Sequence, residues 1–237
     1  MNIIDTSTSS NGRGSDAWMR SWTNLGIDRR GPGYCRVTFD HPPINAVTAT
    51  TVAELAELVE LIEEDADLNV VVFDSANPAF YLTHNDTEND PSVTAVSPLG
   101  PTGIRAWHDV LGRLSRAPVV SIAAIRGHVR GAGTEFVLAC DLRFASRENT
   151  VLGQFEAGAR AFPGRGSMAR LSRLAGRGRA LEILLASNDL DGARAEQYGY
   201  VNRLIADDEL DDEVDQIASR LSHLDHDAIA CAKSSVG

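Results

Sequence analysis

The sequence predicts an α/β fold from three observations. Segments patterned like strands, "YCRVTF", "NVVVFD", "APVVSIAAI" and "DLRFAS", recur up to Ser146. Val52, Leu55, Val59 and Ile62 stand at helical spacing between the first two of them. Strand and helix alternate instead of segregating, which is the order of a sheet covered by helices.

In chain order, residues 1–28 are rich in Ser, Thr, Asn and Gly and read as a loosely held arm. Order is expected to begin near Tyr34, where "YCRVTF" alternates like a half-buried strand. The amphipathic helix follows, capped by Thr50 or Thr51, with Glu54, Glu57 and Glu60 between its apolar positions. "NVVVFD" is a continuous apolar run, as a strand covered on both faces requires. "APVVSIAAI" repeats that pattern, and the loop "RGHVRGAGTEF" leads into a helix from about Gly133 to Ala139 and then the strand "DLRFAS". From Ser167 the chain turns helical: "SMARLSRLAG" and "GRALEILLAS" are separated by Gly176, and "DGARAEQYG" stops at Gly199. "YVNRLI" reads as a last short strand. "DDELDDEVDQIASRLSHL" is an acidic amphipathic helix whose first-turn carboxylates read as solvated and favoured by the helix dipole. "DAIACAKSSVG" closes the chain as a helix. The expected division is an arm at 1–28, a core at 29–190 and a helical C-terminal segment at 191–237.

Composition narrows the function. At 237 residues, 43% hydrophobic and 23% charged, the chain suits a globular domain with a real core. A net charge of -11 without a basic stripe argues against a nucleic-acid surface. Cys35, Cys140 and Cys231 are odd in number and far apart, which favours a reducing compartment over a disulfide framework. No apolar run has membrane-spanning length, and the cytoplasm is the expected location.

The glycine loop raises the chemical question. Glycines allow close backbone approach, and a helix starting at Ala132 or Gly133 would aim its unpaired N–H groups and positive dipole end at a group gaining negative charge. Glu135 follows directly, and Glu156 comes 21 positions later, across a helix and a strand. Two carboxylates facing one pocket can divide acid and base work. Competing sites fail on pattern: around Gly131 there is neither a "GK[ST]" nor a "GxGxxG" phosphate loop, and no "GxSxG" elbow occurs. His223 and His226 sit three apart on an expected helix without partner ligands, so no metal site is assigned. Arg126, Arg130, Arg165, Arg170, Arg173, Arg177 and Arg179 read as mostly solvated, with some available for phosphates.

"HPPINAV", "PAFYLTHND", "PVVSIAAIRGHVRGAGTEFVLACDLRFAS" and "GQFEAGARAFPGRGSMARLSRLAGRGRALEILL", followed by "AEQYGYVNRLI", together resemble the crotonase superfamily, which contains the enoyl-CoA hydratases and isomerases. The resemblance runs from about Arg36 to Ala206. It implies a ββα spiral core, an acyl-CoA thioester as substrate, no further cofactor, and assembly into trimers or hexamers. It places the oxyanion-hole amides on Asn85 and Ala132, and the catalytic carboxylates on Glu135, which would activate water, and Glu156, which would exchange the α-proton. Substrate contacts fall on Ala79, Tyr81, His84, Asp86, Gly131, Pro163 and Gly164, with His84 either touching the ligand or supporting its loop. Phe155 and Arg160 depart from the proline and glycine that many hydratases carry. Hydration of a 2-enoyl-CoA is the implied reaction. Isomerisation, thioester hydrolysis, C–C cleavage or non-catalytic acyl-CoA binding are the alternatives.

Overall fold

The computed structural model describes residues 18–87, 99–154 and 165–236. A six-stranded sheet runs in the order β1-β2-β3-β5-β7-β10, built from β1 (Leu25–Gly31), β2 (Tyr34–Phe39), β3 (Val70–Ser75), β5 (Val120–Ile125), β7 (Leu142–Ser146) and β10 (Arg203–Ile205). Only the β1–β2 hairpin is antiparallel; the other neighbours are parallel. A second sheet, β4-β6-β8-β9, uses very short strands: β4 (Phe80–Leu82), β6 (His128–Arg130), β8 (Val151–Gly153) and β9 (Leu190–Asp191). The helices are α1 (Ala49–Glu64), α2 (Ala106–Arg116), α3 (Ala132–Ala139), α4 (Arg165–Ala175), α5 (Arg177–Ala186), α6 (Gly192–Gln197), α7 (Leu210–Leu221) and α8 (His226–Val236). The chain thus repeats a unit of long-sheet strand, short-sheet strand and helix: β3-β4-α2, β5-β6-α3 and β7-β8-α4.

The apolar run of β3 is explained by burial on both faces. Val71 and Phe73 join a core with Phe39, Tyr81, Phe136 and α1, whereas Val70 and Val72 pack with Ile122, Phe144 and the α7 residues Leu210, Val214 and Ala218. Each such side chain removed from water contributes about 1.5–3 kcal/mol.

At several places the structure differs from the pattern expected of the sequence. The N-cap of α1 is Thr48, whose side chain accepts from Thr51 N while the Thr51 hydroxyl accepts from Thr48 N, a reciprocal capping box two or three residues earlier than expected. Glu54 is buried and accepts the backbone N–H groups of Thr23 and Asn24, so it fastens the chain entering β1. Leu25–Asp28, placed in the arm by composition, are therefore strand. The acidic turn of α7 is not simply solvated: Asp211 and Asp215 pair with the buried Arg36, which also binds Asp74, and Asp211 pairs with Arg126. The expected division between 190 and 191 cuts β9, and β10 beyond it completes the main sheet.

Candidate active site

One buried side chain sets the first loop. Asn45 takes a left-handed φ of 52°, tolerable for asparagine, and its amide donates to the carbonyls of Phe39, Phe80 and Tyr81 and to the Ser75 hydroxyl at 2.8–3.3 Å. Its own carbonyl accepts from Thr83 N at 3.0 Å. β4 and the Thr83–Asp86 turn are thereby fixed against the segment preceding α1. Val47 then bridges to that turn, donating to His84 O at 3.0 Å and accepting from Asp86 N at 2.9 Å. The Asn85 N–H points away from this bridge, and among the described residues it has no acceptor.

The glycine loop repeats the device. Gly131 has φ of 55°, where glycine carries no Cβ penalty, and its N–H donates to Gly153 O at 3.3 Å. Gly133 N–H donates to Thr83 O at 2.8 Å, which holds the two loops side by side. A Cβ on Gly133 would lie 1.8 Å from the Leu82 carbonyl oxygen, so only glycine permits this approach. Between these two paired amides, Ala132 N–H at the start of α3 has no acceptor among the described residues. The Thr134 hydroxyl adds a bond to Gly153 O at 3.0 Å, tying α3 to β8. Two unengaged amides on interlocked loops can hold an oxygen that gains negative charge, because the donors are already oriented.

Glu135 follows in the first turn of α3, only 7% exposed, where the helix dipole favours its charge. Its Oε2 accepts from the Trp107 indole Nε1 at 2.7 Å. Glu135 lines a cavity of about 560 Å³ bounded also by Leu99, Ile104, Arg105, His108, Leu111 and Arg170. Arg170 donates to Leu111 O at 3.3 Å and to the Ser115 hydroxyl at 3.2 Å. Burial, and then the neighbouring Arg116, push its guanidinium below its ordinary pKa, with Glu135 acting in the opposite sense. The cavity therefore offers an apolar wall, a fixed carboxylate and a half-buried cation.

The sequence-derived residues are not all brought together. Asn85, Ala132, Gly131 and Glu135 lie on the two interlocked loops and α3, and Asp86 belongs to the Val47 bridge. Ala79 is exposed on the turn before β4, and His84 is exposed beside Asn85. The Tyr81 ring is fully buried among Phe39, Phe73 and Phe136 and its hydroxyl donates to Phe73 O at 2.9 Å, so this side chain belongs to the core. Glu156, Pro163 and Gly164 lie outside the described residues, as do Phe155 and Arg160. His223 and His226 do not share a helix; His223 is in the turn after α7 and His226 opens α8, its Nδ1 3.1 Å from Leu68 O. No group of three or more metal-ligating side chains occurs among the described residues.

Asn45, Trp107 and His108 were missed. The stretch Trp107, Val110, Leu111, Leu114 carries the helical spacing that would have shown α2, although nothing in it names Glu135 as the partner of the indole.

Comparison with known proteins converges on one family. A family model described as Enoyl-CoA hydratase/isomerase matches residues 29–237. The probable enoyl-CoA hydratase echA8 of Mycobacterium leprae is 28% identical over 208 residues, 86% of this chain and 79% of that protein. The short-chain-enoyl-CoA hydratase of Clostridium acetobutylicum is 28% identical over 188 residues, 78% of this chain and 70% of that protein. A Streptomyces avermitilis crystal structure carrying an enoyl-CoA hydratase name is 42% identical, with a TM-score of 0.84 over 92% of this chain and 78% of that one. The Bacillus anthracis enoyl-CoA hydratase structure gives 0.82 at 25% identity, over 90% and 82% of the two chains. From the repeated strand-strand-helix unit, the interlocked loops and the span of these matches, the chain belongs to the enoyl-CoA hydratase/isomerase family of the crotonase superfamily, as an enzyme of that type.

Proposed function

We propose that the protein adds water to, or removes it from, a 2-enoyl-CoA thioester. The observation that carries the reading is Glu135, a buried carboxylate that reaches the cavity from the first turn of the helix whose leading amide, Ala132, has no acceptor among the described residues. The thioester oxygen would sit between the N–H groups of Asn85 and Ala132. Glu135 takes a proton from water as its oxygen bonds to the β-carbon. The C=C electron pair moves toward the thioester oxygen, where the two amides stabilise the developing charge by about 3–4 kcal/mol each. Glu156 delivers the proton to the α-carbon, a role that rests on the sequence resemblance.

Nothing in this sequence of steps calls for a metal or nicotinamide. Isomerisation, thioester hydrolysis or C–C cleavage is the second reading, favoured by Phe155 and Arg160 at the positions where many hydratases carry proline and glycine. The test is loss of the conjugated-thioester absorbance with crotonyl-CoA and a panel of longer and branched enoyl-CoA esters, in the presence and absence of chelator. Turnover unaffected by chelation supports the proposal; a chain that binds the esters without hydrating any of them refutes it.

A further inference from the structure

The reading of Glu135 as the base leaves open what holds its carboxylate in one orientation, since a glutamate side chain has three rotatable bonds. We infer that Trp107 is the positioning residue for Glu135 and that the first turn of α2 exists in this form to present it. Trp107 is 6% exposed and does not line the cavity. Its indole N–H, 2.7 Å from Glu135 Oε2, therefore approaches the carboxylate from the core side while the carboxylate reaches the cavity. A neutral donor to a carboxylate makes a charge-assisted bond, and indole has no acceptor to offer in an alternative rotamer.

The turn that carries the indole is itself pinned at several points. Asp109, 1% exposed, accepts from Thr102 N at 3.0 Å and from the Thr102 hydroxyl, and Gly100 packs so closely on its carboxylate that a Cβ there would come within 2.3 Å. Val110, Leu111 and Leu114 bury the inner face of α2. Trp107 thus faces Glu135, His108 lines the cavity, and Asp109 secures the loop that supplies the cavity residues Leu99, Gly103 and Ile104. Three consecutive side chains of one turn organise three parts of one site.

The inference rests on Glu135 acting as base, and the experiment separates the two claims. Trp107→Phe keeps an aromatic body but removes the N–H. It is expected to lower kcat by about 10- to 100-fold, the scale of a misplaced catalytic group, with KM changed by less than about threefold. In a Glu135→Gln background the same substitution is expected to cost nothing further, because the group it positions is already disabled. Exchange of the α-proton, assigned to Glu156, should persist in Trp107→Phe. If Trp107→Phe folds poorly by circular dichroism, the isostere with sulfur in place of the indole N–H, introduced at position 107, gives the same comparison with shape retained. Turnover within twofold of wild type, or an equal further loss in the Glu135→Gln background, overturns the positioning role alone. Undiminished turnover in Glu135→Gln overturns the base assignment and the inference with it.

Discussion

Glu135 and the buried thiols show how far a residue's chemistry is set by what surrounds it. Cys35 and Cys140 are both buried, and desolvation pushes each thiol from an ordinary value near 9 up to about 12. Below pH 9 the thiols are protonated in folded and unfolded chains alike and their contribution is fully present. Between pH 9 and 12 the unfolded chain ionises while the folded one resists, so stability is lost as pH rises. Urea midpoints measured across that range should fall more steeply for the wild type than for a Cys35→Ala, Cys140→Ala pair; equal slopes would contradict this. What was legible at this scale was local. Glu135 stood out because it follows three glycines, whereas Trp107, 28 positions away, became its partner only through folding. The burial of the Tyr81 side chain was not legible for a related reason: β4 is three residues long, too short for alternation to show which side chains turn into the core.

At the scale of elements, the approach of α3 to β4 is the contact on which the proposed oxyanion site depends. Gly133 donates to Thr83 O, and its α-carbon sits where a methyl group would collide with the Leu82 carbonyl. Gly133→Ala must push α3 away from β4, carrying the Ala132 amide with it. The expected result is a loss of about 1–3 kcal/mol or more in urea unfolding, together with turnover reduced far beyond what that loss would unfold. Wild-type turnover in a folded Gly133→Ala protein would show that the spacing of the two loops is irrelevant. The long elements here were readable from their pattern: α1, β3 and β5 repeat or run apolar over enough residues to declare themselves. The short sheet was not, since its strands span two or three residues and owe their existence to neighbours distant in sequence. α7 was readable as a helix, but its docking through Arg36 joins residues 175 and 179 positions apart.

For the whole molecule, the two-sided burial of β3 and β5 fixes the layered architecture, and the interlocked loops place the cavity beside α2, α3 and α4. Leu174, Leu181 and Leu185 remain exposed on the neighbouring helices α4 and α5, the last at 69%. With the family resemblance they support a trimer, or paired trimers, as a proposal; light scattering showing a monomer at micromolar concentration would remove it. The fold class was legible because alternation of strand and helix is a property of the whole chain. The enoyl-CoA hydratase/isomerase family was legible only through the order and spacing of several motifs, since no single residue among them carries it. The central claim, a two-glutamate hydration, is tested most directly by assaying enoyl-CoA hydration and α-proton exchange from deuterated water in Glu135→Gln and Glu156→Gln. Both variants should lose at least about 100-fold in turnover while CoA-ester affinity stays within a few-fold, with Glu156→Gln also losing exchange. Wild-type exchange in Glu156→Gln, or a Glu135→Gln enzyme that hydrates at the wild-type rate, would contradict it.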